Sequence, residues 1–329
     1  MKPRRIQSAS STGLLLISML GAPVASVDAV INFDLPLGNT AAPTGIGFEP
    51  SDPGFANVGQ VNGSTGVYLG NSWVLTANHV GAGNFSIGGQ TYNFNGVDSH
   101  QIGGVDLRLF KLSSAPLLPS VPLSNSTPLV GQDTVLIGAG RSPTSNAPTT
   151  WYVDINSGEW VWSTTDFSQA DGTLRGYSTN SGTRVVRWGT NRVEAVLADQ
   201  SYGSYAATDL IYTDFDSSGA TAFEAQAVTH DSGGGFFIEN GGQWELAATI
   251  VTVGTYNNQP GGNNGANTAV FGNLTYGIDL SQYAEEINAF TAVPESAMVA
   301  LVLGLFSGLI SLRRHSLARS KTLCCRRCP

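Results

Sequence analysis

Cysteine is absent from the first 323 residues of this 329-residue chain, because its three cysteines all lie in the last six positions. A disulfide within the body of the protein is therefore excluded. Charge is also scarce, since Asp, Glu, Lys and Arg together make up 12% of the residues. Long apolar stretches are missing from the middle of the chain, where short apolar runs alternate with Gly, Asn, Ser and Pro. This profile predicts an all-β protein.

Basic residues are rare in the central part of the chain. Between residues 30 and 290, seven Lys and Arg residues stand against 22 Asp and Glu residues, a formal net charge of about −15. So acidic a surface argues against a nucleic-acid partner and favours a soluble protein that repels its own copies.

The N-terminus has the three-part layout of a secretory signal peptide. A basic cluster in residues 2–5 precedes an apolar stretch that is too short for a comfortable membrane span, and small residues follow. Cleavage is simplest after Ala29, which gives a signal peptide of residues 1–29, and Ala25 or Ser26 are alternatives. We therefore expect an exported protein.

The C-terminus has a second sorting-like arrangement. Val293-Pro294-Glu295-Ser296 precedes an uncharged apolar run that is followed by a basic cluster at residues 313–315. This resembles the PEP-CTERM sorting signal of Gram-negative bacteria, although the usual motif is Val-Pro-Glu-Pro. The resemblance implies an exosortase-type sorting machinery and a transient membrane association through residues 291–315, ahead of a basic, Cys-containing tail at 316–329. A terminal amphipathic or buried strand is the alternative.

Three short strings contain the residues of a serine hydrolase. A hydroxyl is a weak nucleophile at neutral pH, so it needs an imidazole to take its proton and a buried carboxylate to fix the imidazole tautomer. The chain has a histidine, an aspartate and a serine in suitable settings, in that order. They are His79 in Thr76-Ala77-Asn78-His79-Val80, Asp106 in Gly104-Val105-Asp106-Leu107, and Ser232 in His230-Asp231-Ser232-Gly233-Gly234-Gly235.

At these strings the sequence resembles the trypsin-like, chymotrypsin-fold serine proteases, whose usual strings are Thr-Ala-Ala-His-Cys, Asp-Ile-Ala-Leu and Gly-Asp-Ser-Gly-Gly-Pro. The resemblance implies two antiparallel six-stranded β-barrels with the active site between them. Within a protease domain at residues 30–290, the first barrel would span about residues 45–135 and the second about 136–285. His79 and Asp106 would come from the first barrel and Ser232 from the second.

The resemblance also implies roles for the residues around Ser232. The oxyanion hole would be built from the backbone N–H groups of Ser232 and His230, where the family has Gly instead of His230. A side chain there resists a positive φ angle. The family counterpart of Asp231 pairs with a newly cut N-terminus. No Ile-Val-Gly-Gly string precedes His79, so activation by N-terminal cleavage is not expected.

The substrate-specificity pocket is expected just before Ser232 and along the strand near Ile250, with Gln226 and Val251 as lining residues. The position six before the serine is Gln226 rather than Asp. A trypsin-like preference for Lys or Arg is therefore not supported.

Local patterns give further expectations. Two strands should turn at Gly70-Asn71, with His79 just past the second strand. Two strand-like runs at 184–188 and 192–197 flank Gly189-Thr190-Asn191, which predicts a hairpin. Residues 30–60 should form a lead-in with little regular structure.

These observations lead us to expect an exported serine endopeptidase that hydrolyses peptide bonds through an acyl-enzyme intermediate. It is expected to need no cofactor or metal and to act on protein or peptide substrates. Its expected location is the periplasm, the cell surface or the medium outside a Gram-negative cell. One alternative is a catalytically silent binding module of the same fold. An esterase or lipase is a weaker alternative, because the Gly-x-Ser-x-Gly elbow is missing and the triad order differs.

Overall fold

A computed structural model describes residues 30–33, 38–44, 52–182, 184–218 and 221–292. The predicted signal peptide lies outside these residues, as do the C-terminal apolar run and the cysteine-containing tail. Within the described part of the chain, no helix is long and apolar enough to cross a membrane.

Strands dominate the described residues. In the first part of the chain they are β1 (Ile31–Asn32), β2 (Val58–Val61), β3 (Ser64–Gly70), β4 (Trp73–Thr76), β5 (Phe85–Ile87), β6 (Gln90–Tyr92), β7 (Phe94–Gln101) and β8 (Arg108–Leu112). In the second part they are β9 (Asp133–Gly138), β10 (Ser142–Pro143), β11 (Thr149–Asp154), β12 (Val161–Ser163), β13 (Gly172–Asn180), β14 (Arg187–Arg192), β15 (Ala195–Gln200), β16 (Thr208–Asp214), β17 (Ala225–Gln226), β18 (Gly235–Asn240), β19 (Gln243–Gly254), β20 (Thr268–Val270) and β21 (Leu274–Asp279). Three 3-10 turns, at Phe55–Asn57, Asn263–Gly265 and Leu280–Gln282, and one α-helix, α1 (Ala284–Thr291), complete these elements.

The first sheet has the strand order β6-β5-β2-β3-β4-β8-β7, and all its pairings are antiparallel. Its two end strands, β6 and β7, are separated only by Asn93. They are thus two halves of one strand, which pairs with β5 through its first half and with β8 through its second. The seven segments therefore form a closed barrel of six strands. As expected from the sequence, β3 and β4 turn at Gly70-Asn71-Ser72.

The second sheet closes in the same way. Its order is β14-β9-β18-β19-β21-β16-β15, and the end strands β14 and β15 are separated only by Val193 and Glu194. β14 pairs with β9 and β15 pairs with β16, so one interrupted strand again joins the two ends. The predicted all-β fold with two antiparallel six-stranded barrels is confirmed.

The predicted hairpin around Gly189-Thr190-Asn191 is wrong. These three residues lie inside β14, where each has a Cα partner on β9. Gly189 is needed for close packing rather than for a turn, because a Cβ atom there would lie 2.2 Å from the Cβ atom of Ala225. Asn191 is buried and its side-chain amide donates to the carbonyls of Asp214 and Ala225. Residues that often form turns can thus occupy a strand. Here the strand needs a glycine for close packing and an asparagine to donate to two backbone carbonyls.

A five-stranded sheet is inserted into the second half of the chain, with β13 paired to β10, β11 and β20, and β11 paired to β12. Its aromatic rings pack on one another. The ring of Trp160 stacks on Tyr256 at a centroid distance of 5.4 Å, and Trp151 meets Trp162 edge to face. These tryptophans therefore pack against neighbouring aromatic rings.

The largest apolar cluster joins the two barrels. It contains Leu75 and Leu109 from the first barrel and Val135 and Ile137 from the second, all of them fully or almost fully buried. Leu136, between the last two, points into a separate cluster of the second barrel. This alternation follows from the two faces of a strand, and it gives the barrel-barrel contact a large apolar part.

The packing of Gly189 gives a stability test. Gly189→Ala should lower the free energy of unfolding by about 1–3 kcal/mol, because the new methyl group overlaps the neighbouring strand. A thermal melt should then show a clear fall in Tm. Gly158→Ala is the matched control, since nothing lies within 4 Å of a Cβ atom there. Equal Tm values for the two variants would contradict the strand assignment.

Candidate functional site

His79 lies in the tight turn that follows β4. The Val80 N–H donates to the Ala77 carbonyl at 3.1 Å, which closes the turn. The Asp106 carboxylate holds His79 twice: Oδ1 accepts from the His79 backbone N–H at 2.8 Å, and Oδ2 lies 2.6 Å from the imidazole Nδ1. A proton on Nδ1 leaves the lone pair on Nε2, so the imidazole is set up to accept a proton there.

Asp106 is fully buried just before β8. The chain reaches it through Gly103 and Gly104, whose φ values of 55° and 71° are readily adopted only by glycine. A third donor comes from the second barrel, because the Tyr202 hydroxyl donates to Oδ2 at 3.3 Å. The Asp106 carboxylate therefore accepts hydrogen bonds from both barrels.

Ser232 lies in a loop that contacts both barrels. Its carbonyl accepts from the Thr65 N–H at 3.1 Å, and the Gly233 N–H donates to the Ile250 carbonyl at 2.8 Å. Gly233 has a φ of 88°, and a Cβ atom there would lie 2.2 Å from the hydroxyl oxygen of Thr76. Only glycine allows this approach, which places the serine loop against the strand that leads to His79.

The serine and the histidine do not form a hydrogen bond in this structure. Ser232 Oγ and His79 Nε2 are both buried, and neither has a hydrogen-bond partner among the described residues. Buried polar atoms of this kind are uncommon unless a function uses them. In structures without ligand, the hydrogen bond between nucleophile and base is often long or poorly aligned. His79 and Asp106 are thus brought together directly, while the Ser232 loop is hydrogen-bonded to β3, the strand next to β4.

His230 adopts the backbone conformation that its side chain was expected to resist. Its φ is 77°, which costs a non-glycine residue about 1 kcal/mol or more. Its carbonyl accepts from the hydroxyls of Ser64 at 3.0 Å and Thr65 at 2.9 Å, and these bonds fix the loop. Burial lowers the pKa of the His230 imidazole to about 3, so that imidazole is uncharged at neutral pH. Among the described residues, no group accepts a hydrogen bond from the backbone N–H of Ser232.

Asp231 is buried completely on the other side of the loop. Its Oδ2 accepts from the Val228 N–H at 3.0 Å, whereas Oδ1 makes no hydrogen bond within the described chain. Burial raises the pKa of the Asp231 carboxyl. Four nearby groups oppose that rise: the N–H of Val228, the guanidinium of Arg187, and the N–H groups of Val30 and Gly140. These groups offset part of the cost of ionising the buried Asp231 carboxyl.

Val30 and Ile31 are well anchored, although the described part of the lead-in has the little regular structure that was expected. Both are fully buried, and β1 pairs with β17 so that Ile31 lies opposite Gln226. This pairing was not expected, because Val30-Ile31-Asn32 does not match the family's Ile-Val-Gly-Gly string. The structure nevertheless brings the Val30 backbone nitrogen to Asp231.

The two predicted specificity residues are buried. The side-chain nitrogen and oxygen of Gln226 have no hydrogen-bond partner among the described residues. Val251 belongs to the apolar cluster shared by the barrels. Gln226 thus has unused hydrogen-bonding capacity, whereas Val251 contributes packing.

The described residues contain no group of three or more His, Cys, Asp or Glu side chains arranged to hold a metal ion. Asp214 and Glu224 lie near each other, and burial raises the pKa of Asp214 to about 6 and that of Glu224 to about 7. Glu224 accepts from the Thr221 hydroxyl at 2.6 Å.

Comparisons with known proteins give only distant likenesses. No family model matches the chain, and no curated protein matches it. Two crystal structures of the inactive form of Rv3671c from M. tuberculosis, described as a protease, share 14% and 15% sequence identity with this chain. Each alignment covers 77% of this chain, and the two alignments cover 98% and 99% of the Rv3671c chains. Both TM-scores are 0.40. Mouse neuropsin, a serine protease, shares 14% identity over 70% of this chain and 89% of its own, at a TM-score of 0.39. The fold assignment rests on the strand order described above.

The conformation of His230 predicts the effect of replacing it. Because the loop already has a positive φ at this position, His230→Gly should change the rate of p-nitrophenyl acetate hydrolysis by no more than about threefold. Glycine relieves backbone strain but increases the entropy of the unfolded chain. A gain above about tenfold would instead show that the histidine keeps one oxyanion donor out of place, since one such donor is worth about 10²–10³ in kcat.

Proposed function

We propose that the protein is an exported serine endopeptidase. The observation that supports this most directly is the fully buried Asp106 carboxylate, which binds both the backbone and the imidazole of His79 beside a glycine-rich serine loop. Ser232 Oγ and His79 Nε2 are buried and have no hydrogen-bond partner among the described residues, and they are the donor and the acceptor that such chemistry requires.

In the proposed reaction, Ser232 Oγ attacks the carbonyl carbon of a peptide bond while His79 Nε2 takes the hydroxyl proton. Asp106 keeps the imidazole in the required tautomer and stabilises its charged form. The N–H groups of Ser232 and His230 donate to the oxyanion. His79 then gives the proton to the leaving amine, and water hydrolyses the acyl-enzyme by the same steps.

Substrate preference would depend on Gln226. A buried side-chain amide with no partner favours a substrate group that can hydrogen-bond to it over an apolar one, because an apolar group would leave the amide unsatisfied. The absence of a carboxylate at this position gives no reason to expect cleavage after Lys or Arg.

Export is proposed to complete the site. N-terminal activation was not expected from the sequence, and it is proposed here because the Val30 backbone nitrogen lies at Asp231. Cleavage after Ala29 would convert the backbone N–H of Val30 into an α-ammonium group, which is charged at neutral pH. That group would stand beside Asp231, whose Oδ1 otherwise makes no hydrogen bond in the described chain. Removal of the signal peptide would then stabilise the ionised Asp231 and the serine loop next to it. The C-terminal segment from residue 291 is proposed to deliver the protein through an exosortase-type machinery, with passing contact to the membrane.

A silent binding module of the same fold is the second candidate. The missing hydrogen bond between Ser232 Oγ and His79 Nε2 is the observation that favours it.

Labelling with a fluorophosphonate probe separates the two candidates. The enzyme should react at Ser232, Ser232→Ala should not react, and His79→Ala should react about 10⁴-fold more slowly. The double variant should resemble either single one, because the residues act as a unit. Lack of labelling in the intact protein, with a normal melting temperature, would favour the silent module.

The role of the N-terminus can be tested with two proteins that differ by one residue. A protein that begins at Val30 should be labelled at least tenfold faster than one that begins at Ala29, because only the first places its ammonium group at Asp231. Asp231→Asn in both proteins is the control and should abolish the difference. Equal labelling rates for the two unsubstituted proteins would contradict the proposed activation.

A further inference from the structure

The hydroxyl of Tyr202 is the third donor to the Asp106 carboxylate. Two hydrogen bonds come from His79, and Tyr202 adds its own at 3.3 Å, to the same oxygen that faces the imidazole. Tyr202 belongs to the segment between β15 and β16, so this donor comes from the second barrel. The Asp106 side chain therefore spans the contact between the barrels.

The segment that carries Tyr202 is fixed to the first barrel at a second point. The Ala206 N–H donates to the Gly104 carbonyl at 3.2 Å, two residues before Asp106. The Tyr205 ring packs at 5.7 Å from the Tyr202 ring. Tyr202 also packs against the apolar cluster shared by the barrels. These contacts leave the Tyr202 hydroxyl little freedom to leave the carboxylate.

The Tyr202 hydroxyl is suited to act as a permanent donor. Burial, followed by the neighbouring Asp106 charge, raises the pKa of this phenol far above its ordinary value. The pKa of Tyr205 is also raised, first by burial and then by Asp106. Arg108 does not pair with Asp106, because its guanidinium donates to Asn78 and Ser99.

We propose that Tyr202 is a positioning residue for the His79-Asp106 pair. Its hydrogen bond fixes the plane of the carboxylate, so that Oδ2 stays directed at the imidazole Nδ1 while Oδ1 stays on the His79 backbone. Nε2 then keeps its lone pair directed toward the serine loop. Tyr202 touches neither the nucleophile nor the bond that is cut, and acts only through Asp106. This inference rests on the proposed function for its kinetic consequences.

Tyr202→Phe removes the hydroxyl and keeps the ring. The maximal rate of fluorophosphonate labelling should fall about tenfold, as expected for the loss of one hydrogen bond to a charged group. The probe concentration that gives half the maximal rate should stay within about twofold, because the probe does not contact Tyr202. Tyr212→Phe is the matched control, since that ring packs on Tyr276 in β21 and no contact joins it to Asp106. The control should label at the wild-type rate.

A double variant tests whether Tyr202 acts through Asp106. In an Asp106→Asn background the added Tyr202→Phe change should cause no further loss, because the charge that Tyr202 stabilises is already gone. Independent losses that multiply would overturn the proposal, as would a Tyr202→Phe protein that labels at the wild-type rate.

Proton NMR of the resting protein makes the test independent of turnover. The proton in the 2.6 Å bond between His79 Nδ1 and Asp106 should give a far-downfield signal, and Tyr202→Phe should move that signal whereas Tyr212→Phe should not. An unmoved signal would overturn the role of Tyr202. If the wild-type protein resists labelling but the signal still moves, the proposed function fails and the positioning contact stands.

Discussion

A carboxylate that is buried away from water needs hydrogen-bond donors around it. The fully buried Asp106 carboxylate meets this requirement with donors from both barrels. An ionised buried carboxylate without partners would be too costly for the fold to retain. Its donors come from the turn after β4 and from the segment after β15, so both barrels have to be docked before it is satisfied. The local geometry of His79 thus depends on the long-range packing of the two barrels.

The Asp231 carboxylate is buried as well, but it has different hydrogen-bond partners. It is as deeply buried as Asp106, yet only one of its oxygens has a hydrogen bond in the described chain. Its surroundings include the Arg187 guanidinium and the backbone nitrogens of Val30 and Gly140. The two buried acids therefore differ in their donors: both oxygens of Asp106 accept hydrogen bonds, whereas Asp231 Oδ1 has no hydrogen-bond partner among the described residues.

The fold class could be predicted from the sequence, whereas the roles of the site residues stay predictions. Short alternating runs mark strands, and a glycine-rich loop after an acid marks the region of Ser232. The hairpin at Gly189 was predicted wrongly because the close approach of Ala225 is invisible in the local string. Tyr202 was missed for a similar reason, since a lone tyrosine 96 positions from Asp106 gives no signal until the barrels are docked. The positive φ at His230 is likewise held by hydroxyls from β3, far away in sequence.

The interrupted strands at Asn93 and at Val193-Glu194 also bear on how the protein behaves at high concentration. A sheet that closes on itself has no row of unpaired backbone groups, so neither barrel offers an edge on which a second copy could add a strand. Free edges in the described chain are confined to short strands such as those of the inserted sheet. There, β12 has three residues, and β10 has two, one of them Pro143, which cannot donate. The strand order thereby protects a protein body without disulfides from aggregation.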